Sequence, residues 1–247
     1  MRLTERIYLV GSGRNGFEMS DPFDCHVYLL DGGDELALVD CGAGMGLPRI
    51  LDNVRADGLD PGRIKHLLLT HAHGDHAGGT ARVRSTLDVN IAGSPEAARW
   101  LRDGDEDAIS LRVARQAGIY PSDYRLEPCS IDSTVNEGDR FRVGDLELQV
   151  YDSPGHALGH RSFLLNDRGR SYLFAGDAIF AGGRIVLQTT WDCSIQESTA
   201  TIQKLAKLQA DALLAGHGAV ILSDAARHFD LADAWINRLL PPPQLSL

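Results

Sequence analysis

Residues 69–79 read LTHAHGDHAGG and contain a dense group of side chains that can bind a metal ion. Three histidines and one aspartate fall within six residues, directly after the apolar run 64–69. Neutral imidazole and carboxylate groups are good ligands for Zn²⁺ and related divalent ions. If the extended backbone of that run continues, His71 and His73 point to the same side, and Gly74 makes a turn after them sterically easy. The stretch therefore predicts part of a metal site.

The same arrangement recurs at three later places in the chain. The segments SPGH at 153–156, AGD at 175–177 and AGHG at 215–218 each follow an apolar, strand-like run. In each of them glycine comes next, and then a histidine or an aspartate. A metal site needs ligands that project from several strand ends onto one edge. One histidine cluster alone can be a surface accident, but this recurrence favours a metal site.

Composition sets the broad class of the protein. The chain has 247 residues, of which 43% are hydrophobic and 23% charged, and this is ordinary globular composition. No Pro/Gly/Ser-rich linker divides it, so we expect one domain over 1–247. With 24 Lys+Arg against 34 Asp+Glu, the formal net charge is −10. This charge disfavours nucleic acid and anionic membrane surfaces as partners.

Cysteine usage and the N-terminal segment indicate the compartment. The first residues, MRLTER, lack the apolar region of a secretory signal, and no run approaches the roughly 18 apolar residues of a membrane span. The four cysteines form no CxxC pair and are interpreted as reduced thiols. We therefore expect a cytoplasmic protein.

Two similar halves are predicted, each containing strands and helices. Strands are expected at 7–10, 26–30, 36–39, 64–69, 89–92, 140–143, 146–151, 162–165, 171–174 and 212–214. Helices are expected at 48–54, 77–87, 95–101, 109–117, 194–208 and 223–239. This alternation predicts an α/β architecture with helices packed outside mixed sheets. The less regular stretch 102–130 is interpreted as a variable insertion.

Five motifs in order resemble the metallo-β-lactamase superfamily, in its dinuclear hydrolase branch. They are VDCG at 39–42, HAHGDH at 71–76, SPGHALGH at 153–160, GDAIF at 176–180 and AGHG at 215–218. The resemblance implies a four-layer αββα sandwich with the metals at one edge, and it places the insertion 102–130 near the active site.

The resemblance also implies a set of seven ligands. One ion is held by His71, His73 and His156, the second by Asp75, His76 and His217, and Asp177 bridges both. Zinc is favoured, and iron or manganese also suits such donors. Two adjacent cations generate hydroxide from a shared water near neutral pH. Asp75 is then the catalytic residue that orients this nucleophile and accepts or relays its proton.

Two further polar residues are expected to support the ligands. Asp40 and His160 are interpreted as hydrogen-bond partners that fix ligands from behind. The alternative is that each is a satisfied buried polar group that holds loops together. His26, His66 and His228 have no motif context and are taken as structural or solvated.

Substrate contacts are expected from loops at the metal edge. The candidates are Phe180, Arg184, Tyr120 and Trp191, together with Phe17, Met19 and Tyr124. For each aromatic side chain, ordinary core packing is the alternative. Arg184 suits a substrate carboxylate or phosphate, or else a surface ion pair.

Departures from individual branches narrow the expected reaction. Lactamases of this fold carry cysteine or serine where Asp177 stands, and lactonases carry a tyrosine at the position of Phe180. Residues 176–184 resemble glyoxalase II, but the segment after His217 is too short for its glutathione-binding region. We therefore expect a small-molecule hydrolase that acts on an ester, lactone or thioester. The alternatives are a phosphodiesterase, a promiscuous β-lactam hydrolase, or a mononuclear iron dioxygenase of sulfur compounds. The sequence does not predict the oligomeric state.

Overall fold

Short apolar runs of the sequence form two β-sheets in the structure, a computed structural model that describes residues 1–245. The last two residues of the predicted domain 1–247 lie outside the described part. The chain divides into two compact units. The first contains residues 1–135 and 143–145, and the second contains residues 136–142 and the chain from Leu146 onward. That both units form a single domain stays a prediction.

The first unit contains a six-stranded sheet in sequential strand order. Its strands are β1 (Ile7–Gly11), β2 (Val27–Asp31), β3 (Leu36–Val39), β4 (Ile64–Leu68), β5 (Asn90–Gly93) and β6 (Ser133–Thr134). The pairs β1–β2 and β2–β3 are antiparallel, whereas β3–β4, β4–β5 and β5–β6 are parallel. The carboxyl ends of β3 and β4 therefore lie at the same edge.

Helices make the crossovers that parallel pairing requires. They are α1 (Leu47–Ala56), α2 (Gly74–Ala77), α3 (Thr80–Thr86), α4 (Pro95–Asp103) and α5 (Leu111–Gln116), with a 3-10 turn at Pro61–Arg63. The α4 helix has a side-chain cap, because Ser94 Oγ accepts a hydrogen bond from the Ala97 amide at 3.1 Å. Gly104 then ends it in the left-handed conformation.

The second unit contains a five-stranded sheet with the order β11-β10-β9-β8-β7. Its strands are β7 (Arg140–Val143), β8 (Leu146–Asp152), β9 (Arg161–Asp167), β10 (Arg170–Gly176) and β11 (Ala212–Ala215). The pairs β8–β9 and β9–β10 are antiparallel, and β10–β11 is parallel. The helix α6 (Ile195–Ala206) connects the parallel pair, and α7 (Ala226–Ile236) follows β11.

Each unit buries its own apolar cluster between sheet and helices. In the first unit Leu38 and Leu67 belong to one cluster with Ile50 of α1. In the second unit Leu213 belongs to a cluster with Ile202 of α6. Full burial of such a side chain contributes about 1.5–3 kcal/mol, so these clusters hold the strand ends in place. Within residues 1–245, no helix combines the length and apolar character needed to cross a membrane.

The predicted helix 77–87 begins too early, because α2 ends at Ala77 and α3 begins only at Thr80, after Gly78 and Gly79. A Cβ on Gly79 would lie 2.7 Å from the Cys41 carbonyl oxygen, and one on Gly78 would overlap the Tyr124 hydroxyl. The glycines therefore allow a close approach of neighbouring segments. The two-residue strand β6 was not predicted.

Asp24 is a buried carboxylate that ties two loops of the first unit together. It accepts hydrogen bonds from Ser20 Oγ at 2.6 Å, the Asp21 amide at 3.0 Å and the Ala43 amide at 2.8 Å. These bonds favour the carboxylate, but burial is the larger effect and raises the pKa of Asp24 from 3.8 to about 6.

The raised pKa of Asp24 makes the unfolding free energy depend on pH. Between pH 3.8 and about 6 the folded protein keeps a proton that the unfolded chain has lost, so stability falls as pH rises through this window. Asp24→Asn removes this dependence, although its amide disturbs at least one of the three hydrogen bonds. We expect the stability of the wild type relative to the variant to fall by about 2 kcal/mol between about pH 4.5 and 7. Urea unfolding of both proteins measures this, and a difference independent of pH would contradict it.

Candidate metal centre

Three histidine rings lie together after β4 in the first unit. The ring centroids of His71 and His73 are 4.6 Å apart, and those of His71 and His76 are 4.1 Å apart. All three side chains are buried. The strand β4 ends at Leu68, so His71 and His73 follow it in a loop, in which the backbone of His73 is still extended. The loop nevertheless places the rings in one group. Such a crowded set of buried imidazoles suits a transition-metal ion.

Asp40 fixes this loop from the end of β3. Its backbone has a left-handed φ of 60°, a conformation in which aspartate is enriched among non-glycine residues. Asp40 Oδ1 accepts a hydrogen bond from the Thr70 amide at 2.7 Å, and Oδ2 accepts one from Thr70 Oγ1 at 2.7 Å. Asp40 Oδ2 also lies 2.8 Å from His76 Nδ1. That contact places the His76 proton on Nδ1 and directs the Nε2 lone pair outward, as a metal ligand requires.

Asp40→Asn is expected to lower the zinc affinity of the protein about 10- to 100-fold. In one orientation the amide NH₂ of the variant faces the Thr70 amide, and in the other it faces the Thr70 hydroxyl and His76 Nδ1. Next to His76 Nδ1, the NH₂ group favours the His76 tautomer that carries its proton on Nε2, the nitrogen that would bind the metal. Competition with a chromophoric chelator measures the affinity. The control is Asp52→Asn, at a side chain that is 73% exposed. An affinity equal in both variants would count against the role of Asp40.

Asp75 is the most exposed of the candidate metal ligands in the first unit. It lies in α2, and 23% of its side-chain surface is exposed. Its Oδ2 lies 3.7 Å from His76 Nε2. Its Oδ1 accepts a hydrogen bond from the Tyr120 hydroxyl at 3.0 Å. Burial, with the negative charge of Asp75, raises the pKa of Tyr120 well above its usual value, so the phenol stays a donor.

The second unit brings together a carboxylate and two imidazoles at its strand ends. Because β10 and β11 are parallel, Asp177 and His217 leave the sheet at the same edge, and His156 comes from the β8–β9 loop. Asp177 Oδ2 lies 3.5 Å from His156 Nε2 and 3.6 Å from His217 Nε2. These separations are long for hydrogen bonds. Two ligands of a tetrahedral zinc ion lie about 3.4 Å apart, since each bond is about 2.0–2.1 Å. The carboxylate oxygen and the two imidazole nitrogens therefore lie at distances that suit ligands of a metal ion.

His160 holds Asp177 through the backbone. Its Nε2 accepts a hydrogen bond from the Asp177 amide at 3.0 Å, so its proton is on Nδ1. That nitrogen lies 2.7 Å from Ser153 Oγ, which in turn lies 2.8 Å from Ser162 Oγ. This buried chain of hydrogen bonds connects the loop that carries His156 with the residue that follows β10.

The structure thus places the predicted site residues in two groups. The first unit brings together Asp40, His71, His73, Asp75 and His76, and the second brings together His156, His160, Asp177 and His217. Sequence reasoning missed Thr70 and Ser153, since no spacing signal connects either hydroxyl with its partner.

The four candidate substrate contacts lie in different environments. Phe180 is fully buried with Val186 and Ala215, so the structure places it in the core and not at a surface. Arg184 is exposed, and Trp191 is 61% exposed. Tyr120 is buried and its hydroxyl contacts Asp75. Arg184 and Trp191 therefore remain accessible to a ligand.

A profile of the Metallo-beta-lactamase superfamily matches residues 20–217. An acyl-coenzyme A thioesterase of Gallus gallus is 28% identical over 254 residues, which cover 96% of this chain and 83% of that relative. A hydroxyacylglutathione hydrolase of Cereibacter sphaeroides is 30% identical over 156 residues, which cover 63% of this chain. The match spans only 49% of the length of that hydrolase.

Solved structures show the same fold. A subclass B3 metallo-beta-lactamase of Bradyrhizobium japonicum has a TM-score of 0.74 at 24% identity, with 97% of this chain and 91% of that chain covered. A metallo-beta-lactamase of Cronobacter sakazakii has a TM-score of 0.73 at 21% identity, with 97% and 96% covered. The predicted fold class is confirmed, and the His/Asp clusters indicate binding of a divalent metal. The chain therefore belongs to the metallo-beta-lactamase superfamily and is a hydrolytic enzyme.

Proposed function

We propose that the chain is a dinuclear metal-dependent hydrolase that cleaves a small acyl thioester. The observation that carries this proposal is the position of Asp177 Oδ2, within 3.6 Å of both His156 Nε2 and His217 Nε2. A carboxylate shared in this way suits a bridging ligand. The proposed ligands are His71, His73, Asp75, His76, His156, Asp177 and His217, with zinc as the favoured metal. When bound, two divalent ions supply a water of lowered pKa and polarise the substrate carbonyl.

Asp75 is the proposed proton acceptor. Its partly exposed carboxylate is accessible to a water, whereas Asp40 and Asp177 are almost fully buried. Asp40 and His160 contribute indirectly, because they orient His76 and the backbone of Asp177. This arrangement needs no separate acid for a thioester. A thiol has a pKa of about 8.5, so a thiolate departs without first gaining a proton.

Similarity also favours a thioester over an oxygen ester or a lactone. One relative that matches over most of both chains is named an acyl-coenzyme A thioesterase. The hydroxyacylglutathione hydrolase is also named for an acyl group carried on glutathione. The lactamase structures are under 25% identical and support the fold alone.

A substrate panel tests this proposal. The zinc-loaded protein is assayed with an acyl-coenzyme A thioester, the matching oxygen ester, a lactone, a phosphodiester and a β-lactam. We expect the thioester to have the highest kcat/KM, and removal of the metal with a chelator to abolish its hydrolysis. Hydrolysis of only the phosphodiester or the β-lactam would overturn the thioester assignment. Oxygen consumption with one bound iron would instead support the dioxygenase alternative.

A further inference from the structure

The two oxygens of Asp75 have different surroundings. Oδ1 accepts the hydrogen bond from Tyr120 at 3.0 Å, whereas Oδ2 lies on the side of His76 Nε2, at 3.7 Å. A carboxylate with one oxygen engaged in this way is held against rotation about its last bond. Its other oxygen is then directed towards the imidazole group of the first unit.

Tyr120 is itself held tightly enough to position a partner. Its ring stacks on Tyr124 with centroids 5.1 Å apart and an interplanar angle of 17°. The ring of Phe23 lies 5.9 Å away. A Cβ on Gly74 would lie 3.3 Å from both Cζ and Oη of Tyr120, so the phenol lies directly against the start of α2. The hydroxyl therefore has little freedom to leave Asp75.

An ion pair closes the segment that carries Tyr120. Arg115 Nη2 lies 2.7 Å from Glu106 Oε2, and Arg115 Nη1 donates to the Tyr124 carbonyl oxygen at 2.8 Å. Glu106 Oε1 accepts a hydrogen bond from the Leu126 amide at 3.1 Å. The Arg115 and Glu106 side chains are 14% and 19% exposed. Residues 106–126 are thus closed into a loop by partly buried contacts, which hold the tyrosine in place.

We propose that Tyr120 is a positioning residue that orients Asp75, so that Asp75 binds its metal ion through Oδ2 alone. This inference rests on the proposed function, because it takes Asp75 as a metal ligand. It also assigns a role in metal binding to the insertion 102–130, which sequence reasoning placed near the active site only as a variable segment with candidate substrate contacts.

Tyr120→Phe keeps the ring and its stacking but removes the donor. Loss of a hydrogen bond that orients a metal ligand typically costs 10- to 100-fold in metal affinity or activity. We expect one of the two ions to be lost at a chelator concentration about 10- to 100-fold lower than in the wild type. We also expect kcat to fall while KM changes little, because the substrate is bound by other groups.

The control is Tyr124→Phe, which removes a neighbouring buried hydroxyl. That hydroxyl donates to the Ala43 carbonyl oxygen at 2.8 Å and to the Gly74 carbonyl oxygen at 3.4 Å, so both of these bonds go to the backbone. Tyr124→Phe is expected to destabilise the insertion but to release zinc as the wild type does. An equal loss of metal in both variants would mean that loosening of the insertion is the cause, and would overturn the proposal.

A double-mutant cycle separates this inference from the proposed function. If Tyr120 acts through Asp75, Tyr120→Phe has no further effect on metal release in the Asp75→Ala background, where the carboxylate that accepts its hydrogen bond is absent. If the effects of the two substitutions on metal release are fully additive, the role of Tyr120 is overturned but the dinuclear proposal is not. The same holds if Tyr120→Phe binds two ions and releases them as the wild type does. A wild-type protein that never binds two ions would overturn the dinuclear proposal as well.

Discussion

Asp75→Asn is expected to lower kcat for thioester hydrolysis by about 10²- to 10⁴-fold, the usual contribution of a general base. An amide does not accept a proton at neutral pH, and it is a weaker metal ligand than a carboxylate. The substitution should leave the fold intact. The side chain is partly exposed, and the amide oxygen can still accept the hydrogen bond from Tyr120.

Steady-state kinetics, metal content and urea unfolding should be measured on the same preparation of Asp75→Asn. Asp88→Asn provides the control, because Asp88 is fully exposed in the same unit, where it forms an ion pair with Lys65. We expect the wild-type rate in that control. Turnover at the wild-type rate in Asp75→Asn would remove Asp75 from the reaction.

Asp177→Ala is expected to reduce the metal content from two ions per chain to one or none, and to abolish hydrolysis. Its Oδ2 is close to the Nε2 atoms of both His156 and His217, and the methyl group of alanine cannot replace this carboxylate as a ligand. The ions would then lose the ligand that they are proposed to share.

Elemental analysis after dialysis determines the metal content of Asp177→Ala. Asp211→Ala is a suitable control, because Asp211 lies at the surface just before β11 and contacts Ser171, not the imidazoles. Retention of two ions by Asp177→Ala would exclude it as a bridge.

The seven candidate ligands were predicted from the resemblance to a known family, and the strands that precede them were predicted from apolar runs. Apolar runs fix the strands, and the strands 36–39 and 140–143 have the predicted bounds. Asp177 and His217 then lie together because β10 and β11 are parallel neighbours, as expected for ligands that project from strand ends.

The remaining features depend on contacts between segments that are distant in sequence. The helix break at Gly78 and Gly79 lies where Tyr124 and Cys41 approach closely, and helical periodicity does not encode such contacts. The strand β4 stops before Thr70, and Asp40 binds the loop that follows it and carries His71. The contact between Tyr120 and Asp75 spans 45 positions and has no spacing signal.

Phe180 shows the same limit for substrate contacts. Its place three residues after the proposed ligand Asp177 favoured an active-site role, but its side chain lies in a buried cluster with Val186 and Ala215. Sequence position brings a residue near a site, whereas the direction of its side chain depends on tertiary packing. Phe180 is buried, and its role as a substrate contact stays a prediction.

The most direct test is the metal content of the purified full chain, measured while thioester hydrolysis is followed through chelation and reloading. We expect two divalent ions per chain, no hydrolysis after their removal, and full activity only when the second ion has been restored. Hydrolysis that persists without metal, or full activity with a single ion per chain, would contradict the dinuclear mechanism.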